Sequence, residues 1–85
     1  MKEIKYVLKD ILGIHARPAG KMVRMAGKYA CDIQIGSSGK MTNAKRIIGV
    51  MALTLKQGDE VTLTFSGEDE EAAAAEIGQF LADNL

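Results

Sequence analysis

The chain has no tryptophan, two tyrosines, two phenylalanines, one proline, one histidine and one cysteine in 85 residues. Each scarcity excludes something. A single thiol, Cys31, rules out an intramolecular disulfide and any thiolate cluster, and the lone His15 leaves little for a structural zinc site. So few aromatics give no interleaved stacking surface for nucleic acid. Net charge is missing as well: 11 basic side chains balance 11 acidic ones at a pI near 6.6, which excludes a uniformly basic binder of nucleic acid or membrane. No apolar run has the length of a membrane span. The opening MKEIKYVLKD alternates charges with apolar residues and lacks the core of a signal peptide, so a cytoplasmic protein without membrane insertion is expected.

What is present is ordinary in amount and uneven in placement. With 47% hydrophobic and 26% charged residues, the composition is that of one globular domain spanning 1–85. Residues 1–46 carry ten of the 11 bases against Glu3, Asp10 and Asp32, a net charge of +7. Residues 47–85 carry Lys56 against eight acids, a net charge of −7. A basic surface patch that attracts acidic or anionic partners is one reading of this division; solvated faces of ordinary elements are the other.

Periodicity gives the elements. Ile4, Tyr6 and Leu8 alternate with Lys5, Val7 and Lys9 as a strand with one buried face does. From residue 16 to 29 the period becomes helical, with Ala19, Met22, Val23, Ala26 and Ala30 on one stripe. Cys31, Ile33 and Ile35 mark a second strand, with Cys31 facing inward. A turn at Gly36–Gly39 leads to a short third strand at Lys40–Asn43. Ile47–Leu53 reads as a short helix. Val61, Leu63 and Phe65 alternate with threonines as a fourth strand, and a final helix starts at Asp69 with Ala73, Ile77, Phe80 and Leu81 inward. The order strand, helix, strand, strand, helix, strand, helix predicts an α+β fold, with helices on one face of a four-stranded sheet.

The only histidine and the only proline lie three residues apart, in Gly13-Ile14-His15-Ala16-Arg17-Pro18-Ala19. Proline is comfortable only in the first turn of a helix, so the helix starts near residue 15 or 16. His15 then sits at the positive end of the helix dipole, beside backbone N–H groups without partners. A cation is disfavoured there, so an imidazole nitrogen keeps its lone pair for nucleophilic work. Arg17 adds a guanidinium fork suited to phosphate oxygens. Together these residues describe a phosphoryl acceptor. No carboxylate, serine or cysteine adjacent in sequence suggests a hydrolytic triad. A helix-boundary histidine without chemistry is the competing reading.

The run GIHARPA, Gly13–Ala19, resembles the phosphorylation motif of the histidine-containing phosphocarrier (HPr) family of the bacterial phosphoenolpyruvate:sugar phosphotransferase system. The resemblance extends over essentially the whole chain. It implies an open-faced sandwich, with an antiparallel sheet of order 1-4-2-3 covered on one face by three helices. It further implies that His15 is phosphorylated on its pros nitrogen (Nδ1) by Enzyme I and relieved of the group by enzyme IIA domains. Arg17 would stabilise the phosphoryl group and Pro18 fix the helix start. The implied carrier is a monomer, needs no cofactor or metal, binds no nucleic acid and is not an enzyme in its own right. Where many family members have a regulatory serine this chain has Arg46, so serine-kinase regulation at that place is not expected. Gly20 also stands where a small non-glycine residue is usual.

Two surface regions complete the expectation. Arg17, Gly20, Arg24 and Gly27 recur at helical spacing opposite the apolar stripe, and the glycines offer a flat floor to a closely docked partner. The alternative is that they pack under a neighbouring loop. Ile47, Ile48, Val50, Met51 and Leu53 cannot all face inward from one short helix. The resemblance makes Ile47, Ile48 and Met51 the exposed members, an apolar patch rimmed by Lys45 and Arg46 and suited to acidic partners. A regulatory protein-binding module acting through that patch is the rival function; paralogues of that kind lose the histidine that this chain keeps.

Overall fold

The predicted element order recurs in the computed structural model, which describes all 85 residues. It comprises β1 (Lys2–Val7), α1 (Ala16–Gly27), β2 (Asp32–Ser37), β3 (Lys40–Asn43), α2 (Ile47–Ala52), β4 (Glu60–Ser66) and α3 (Glu70–Asn84). The strands form one antiparallel sheet in the order β1-β4-β2-β3. Register puts Leu63 between Ile4 and Ile35, and Phe65 beside Ile33, so the apolar residues of neighbouring strands share one face. Val61, Leu63 and Phe65 are wholly buried on it, while Thr62 and Thr64 of the other face remain partly open. Ala19, Met22 and Ala26 of α1, Val50 of α2 and Ala73, Ile77 and Leu81 of α3 close over that face. Each large side chain fully buried here contributes roughly 1.5–3 kcal/mol.

Two local expectations change. The first helix ends at Gly27 instead of continuing to residue 29, and Ala30 is exposed. Gly27 is a poor helix former, and beyond it Lys28 and Tyr29 donate to the carbonyls of Met25 and Ala26, the tighter pattern of a terminating turn. Ala30 instead gives its N–H to Asp69 at 2.8 Å. The hairpin turn is also tighter than expected: β2 runs through Ser37, and only Ser38 and Gly39 turn the chain, with φ of +55° and +83°. Two consecutive positive φ values match the right-handed twist of the strands on either side.

Asp69 joins the basic and acidic halves of the sequence. As N-cap of α3 its side chain makes no cap bond to its own helix; it accepts the N–H of Ala30 and, at 2.9 Å, that of Cys31. These donors, Ala30 first, hold its carboxyl below the ordinary 3.8. Glu76 is held below its ordinary 4.5 by the Tyr29 hydroxyl and then by Lys28. Burial of the Cys31 thiol and its contact with Asp69 push that group up to about 11, so it stays protonated and apolar. Carboxyls depressed in the folded state stabilise it above their unfolded values and lose that contribution as pH falls through the folded ones. Thermal stability is therefore expected to fall as pH drops below about 4.5, and Asp69→Asn to flatten that acid-side decline. Circular dichroism melts across pH check this; an unchanged acid slope in the variant would remove Asp69 from the account.

Candidate functional site

The site is set by the turn that precedes α1. Gly13 has φ of +63° and passes the chain to Ile14, whose side chain is buried and whose N–H donates to the Leu55 carbonyl at 3.1 Å. Ile14 thus anchors the chain one residue before the histidine. His15 is the N-cap of α1 in extended backbone, and its carbonyl accepts the Ala19 N–H at 3.0 Å. Its side chain makes no cap bond and is 37% exposed, leaving the imidazole free for chemistry. Pro18 occupies the third helical position and is buried. That is a place where a helix has no use for an N–H, so the ring costs nothing there, and the N–H groups of Ala16 and Arg17 stay open at the positive end.

His15, Arg17 and Pro18 meet in one cleft of about 170 Å³, together with Asp10, Lys21 and Asn84. Arg17 and Lys21, four residues apart and both exposed, bring two cations to its wall. The expected trio is therefore brought together and enlarged. Asp10 was not expected: no carboxylate adjoins His15 in sequence, yet the Gly13 turn folds Asp10 back until Oδ2 lies 3.9 Å from His15 Nε2. The available signal was an aspartate two residues before Leu12, whose N–H its Oδ1 accepts at 2.8 Å in a local turn. Ile11 and Leu12, 81% and 66% exposed, cap that turn and carried no signal in the pattern.

The remaining candidates lie on two surfaces. On α1, a Cβ added at Gly27 would meet nothing within 4 Å, and one at Gly20 would meet only the Arg24 guanidinium at 3.6 Å. Neither glycine admits a neighbouring loop of this chain, so the packing alternative is not met. Arg24 also borders a groove of about 440 Å³ between α1 and α3, with Lys21, Met25, Lys28, Phe80 and Asn84. On α2 only Val50 is buried; Ile48 is 82% exposed, and Ile47 and Met51 are more than one-third exposed. Val23 of α1 lines a shallow depression of about 530 Å³ with Lys45, Arg46, Ile47, Ile48 and Gly49. Lys45 is less available than its rim position suggests, since its ammonium donates to the Tyr29 carbonyl at 2.7 Å. No three His, Cys, Asp or Glu side chains come together to hold a metal ion, and no helix is long and apolar enough to cross a membrane.

Arg46 is the N-cap of α2 and caps nothing with its side chain. A serine hydroxyl in its place could accept an N–H of the first turn. Arg46→Ser is therefore expected to stabilise the fold by about 1 kcal/mol, or about 4–8 °C in Tm for a domain of this size. A Tm that falls would show that Arg46 holds α2 by a contact other than capping.

Known proteins share the fold that carries this site. A family model described as the PTS HPr component phosphorylation site matches residues 2–83. The phosphocarrier protein HPr of Lysinibacillus sphaericus is 42% identical over 83 residues, covering 98% of this chain and 94% of that protein. A crystal structure of HPr from Thermoanaerobacter tengcongensis, 37% identical, superposes with a TM-score of 0.93 over 98% of this chain and 93% of that one. Crh, the Bacillus subtilis catabolite repression protein described as a swapped dimer, is 34% identical with a TM-score of 0.78 over 100% and 98% of the two chains.

Proposed function

Because this chain belongs to the HPr family of phosphocarriers of the phosphotransferase system, we propose that His15 accepts a phosphoryl group from phosphorylated Enzyme I and passes it to enzyme IIA domains. The observation that carries the reading is the placement of a free, part-exposed imidazole at the N-cap of α1, in a cleft walled by Arg17 and Lys21. A ring nitrogen supplies the electron pair for phosphorus. Arg17, Lys21 and the open N–H groups of the first turn offset charge on the three phosphoryl oxygens. The chain itself is restored after each cycle, so it acts as a stoichiometric carrier and turns over no substrate of its own.

Docking falls to the surfaces around the cleft: Arg17, Gly20, Arg24 and Gly27 on α1, and Ile47, Ile48 and Met51 with Arg46 on α2. An apolar centre with a cationic rim fits acidic partners. Every group needed for the chemistry lies within one chain, so the reading requires no second copy. It keeps the cytoplasmic placement expected from the sequence. Incubation with phosphoenolpyruvate and Enzyme I is expected to add the mass of one phosphoryl group, labile in acid and stable in base. No mass gain, with Enzyme I shown active on another carrier, overturns the proposal. The regulatory-module reading, which uses the α2 patch alone, predicts that outcome.

A further inference from the structure

We propose that Asp10 is a positioning residue: it holds the His15 imidazole with its proton on Nε2 and so makes Nδ1 the nitrogen that takes the phosphoryl group. The proposal rests on the carrier reading above. Three of the four polar atoms of Asp10 are already engaged. Its N–H donates to the Leu85 carbonyl at 2.8 Å, its carbonyl accepts the Gly13 N–H at 2.9 Å, and its Oδ1 accepts the Leu12 N–H at 2.8 Å. Only Oδ2 is left, and it faces His15 Nε2 at 3.9 Å. Arg17 and Lys21 share the cleft, but neither forms an ion pair with this carboxylate. At 3.9 Å the contact is longer than a hydrogen bond. Contacts of this kind are often long in the free protein and tighten when a reacting partner arrives.

A carboxylate can only accept, so the nitrogen facing it is the one that keeps the proton. The lone pair is then on Nδ1. In the forward step that pair forms the N–P bond while the donor's bond to phosphorus breaks and its electron pair leaves with the donor. The ring becomes positively charged with the proton still on Nε2, and the Oδ2 of Asp10 stands against that charge. In the onward step the acceptor's pair bonds phosphorus and the N–P pair returns to Nδ1, restoring the neutral ring. No proton enters or leaves the imidazole in the cycle. The group opposite Nε2 therefore acts through His15 and does not touch the phosphoryl group.

Two variants separate this role from a structural one. Asp10→Asn keeps an oxygen for the Leu12 N–H, and so keeps the turn, but presents an NH2 to Nε2; that nitrogen must then accept, and the proton moves to Nδ1. Asp10→Ala loses the turn anchor and the facing group together. Transfer is expected to fall about 100-fold in Asp10→Asn and about tenfold in Asp10→Ala, the range seen when the outer partner of a histidine is lost. A purely structural role gives the opposite order. In the unphosphorylated protein, ¹⁵N NMR of the neutral imidazole is expected to show Nε2–H in the parent chain and Nδ1–H in Asp10→Asn. An Nδ1–H tautomer in the parent chain, or Asp10→Asn transferring as fast as Asp10→Ala, overturns the proposal. The tautomer is read without donor or partner, so a chain that accepts no phosphoryl group refutes the carrier reading and leaves the test of Asp10 intact.

Discussion

His15→Ala is expected to abolish phosphoryl acceptance while leaving the fold as stable as before. The loss is complete because the cleft offers no second nitrogen nucleophile: its other polar groups are Asp10, Arg17, Lys21 and Asn84. Arginine and lysine are cations there, and an amide is not a nucleophile at neutral pH. The Asp10 carboxylate could in principle take a phosphoryl group, but an acyl phosphate is destroyed by base whereas phosphohistidine survives it, so the two are told apart by one alkaline incubation. Stability is unaffected for a different reason. The imidazole caps no N–H of α1, and the one hydrogen bond that fixes the residue, from the Ala19 N–H, uses its backbone carbonyl. Substitutions at exposed positions away from such features stay within about 0.5 kcal/mol. Mass spectrometry after the Enzyme I reaction, with a thermal melt of the same sample, reads both halves. A retained, base-stable mass gain in the variant would remove His15 from the chemistry altogether.

The sequence showed most of what depends on residues near one another in the chain. Pro18 located the start of α1, because a ring that lacks an N–H has only one comfortable place in a helix, and His15 followed as its N-cap. Alternation in Val61, Leu63 and Phe65 gave the buried face of β4 directly. What it could not show was set by the third dimension. Ile47, Ile48 and Met51 are of the residue types that fill cores; a short helix cannot turn all its apolar residues inward, but nothing in the sequence says which stay outside, and of six-residue α2 only Val50 is buried. The resemblance to a known family supplied that, as it supplied the strand order. Asp10 escaped both routes. Its place beside His15 depends on the turn that closes at left-handed Gly13; Asp10 and Gly13 are turn residues and mark it, but nothing in their types says that it brings Oδ2 to Nε2. The end of α1 was misplaced although Gly27, a weak helix former, marked it; what the sequence could not show is the partner that takes over beyond the helix, Asp69, which accepts the Ala30 N–H from 39 residues away.

Gly13→Ala is expected to cost about 3–5 kcal/mol, the largest effect on folding of any single-methyl change near the site. Backbone strain and collision both contribute. At φ of +63° an L side chain sits in the left-handed region, which costs about 1–2 kcal/mol for a residue with a Cβ. Collision costs more. The added carbon would lie 2.3 Å from the Leu55 carbonyl oxygen and 2.7 Å from the Lys56 Cα, both backbone atoms with no rotamer to yield. Relief requires the Leu55–Lys56 segment to withdraw, which breaks the hydrogen bond from the Ile14 N–H to Leu55 and loosens two buried side chains, Ile14 and Leu55. A domain of this size holds only about 4–13 kcal/mol in total, so Tm is expected to fall by roughly 12–40 °C. Gly27→Ala is the matched control. It adds the same methyl where nothing lies within 4 Å, at the last residue of α1, and is expected to leave Tm unchanged or raise it by a few degrees, less than the roughly 8 °C that helix propensity would give in an interior. A large loss at Gly13 and none at Gly27, for one chemical change, would locate the cost in the approach of the Gly13 turn to Leu55. A Gly13→Ala protein that melts like its parent and still transfers phosphoryl groups would mean that the turn does not hold His15 in place, and the geometry assigned to Asp10 would fall with it.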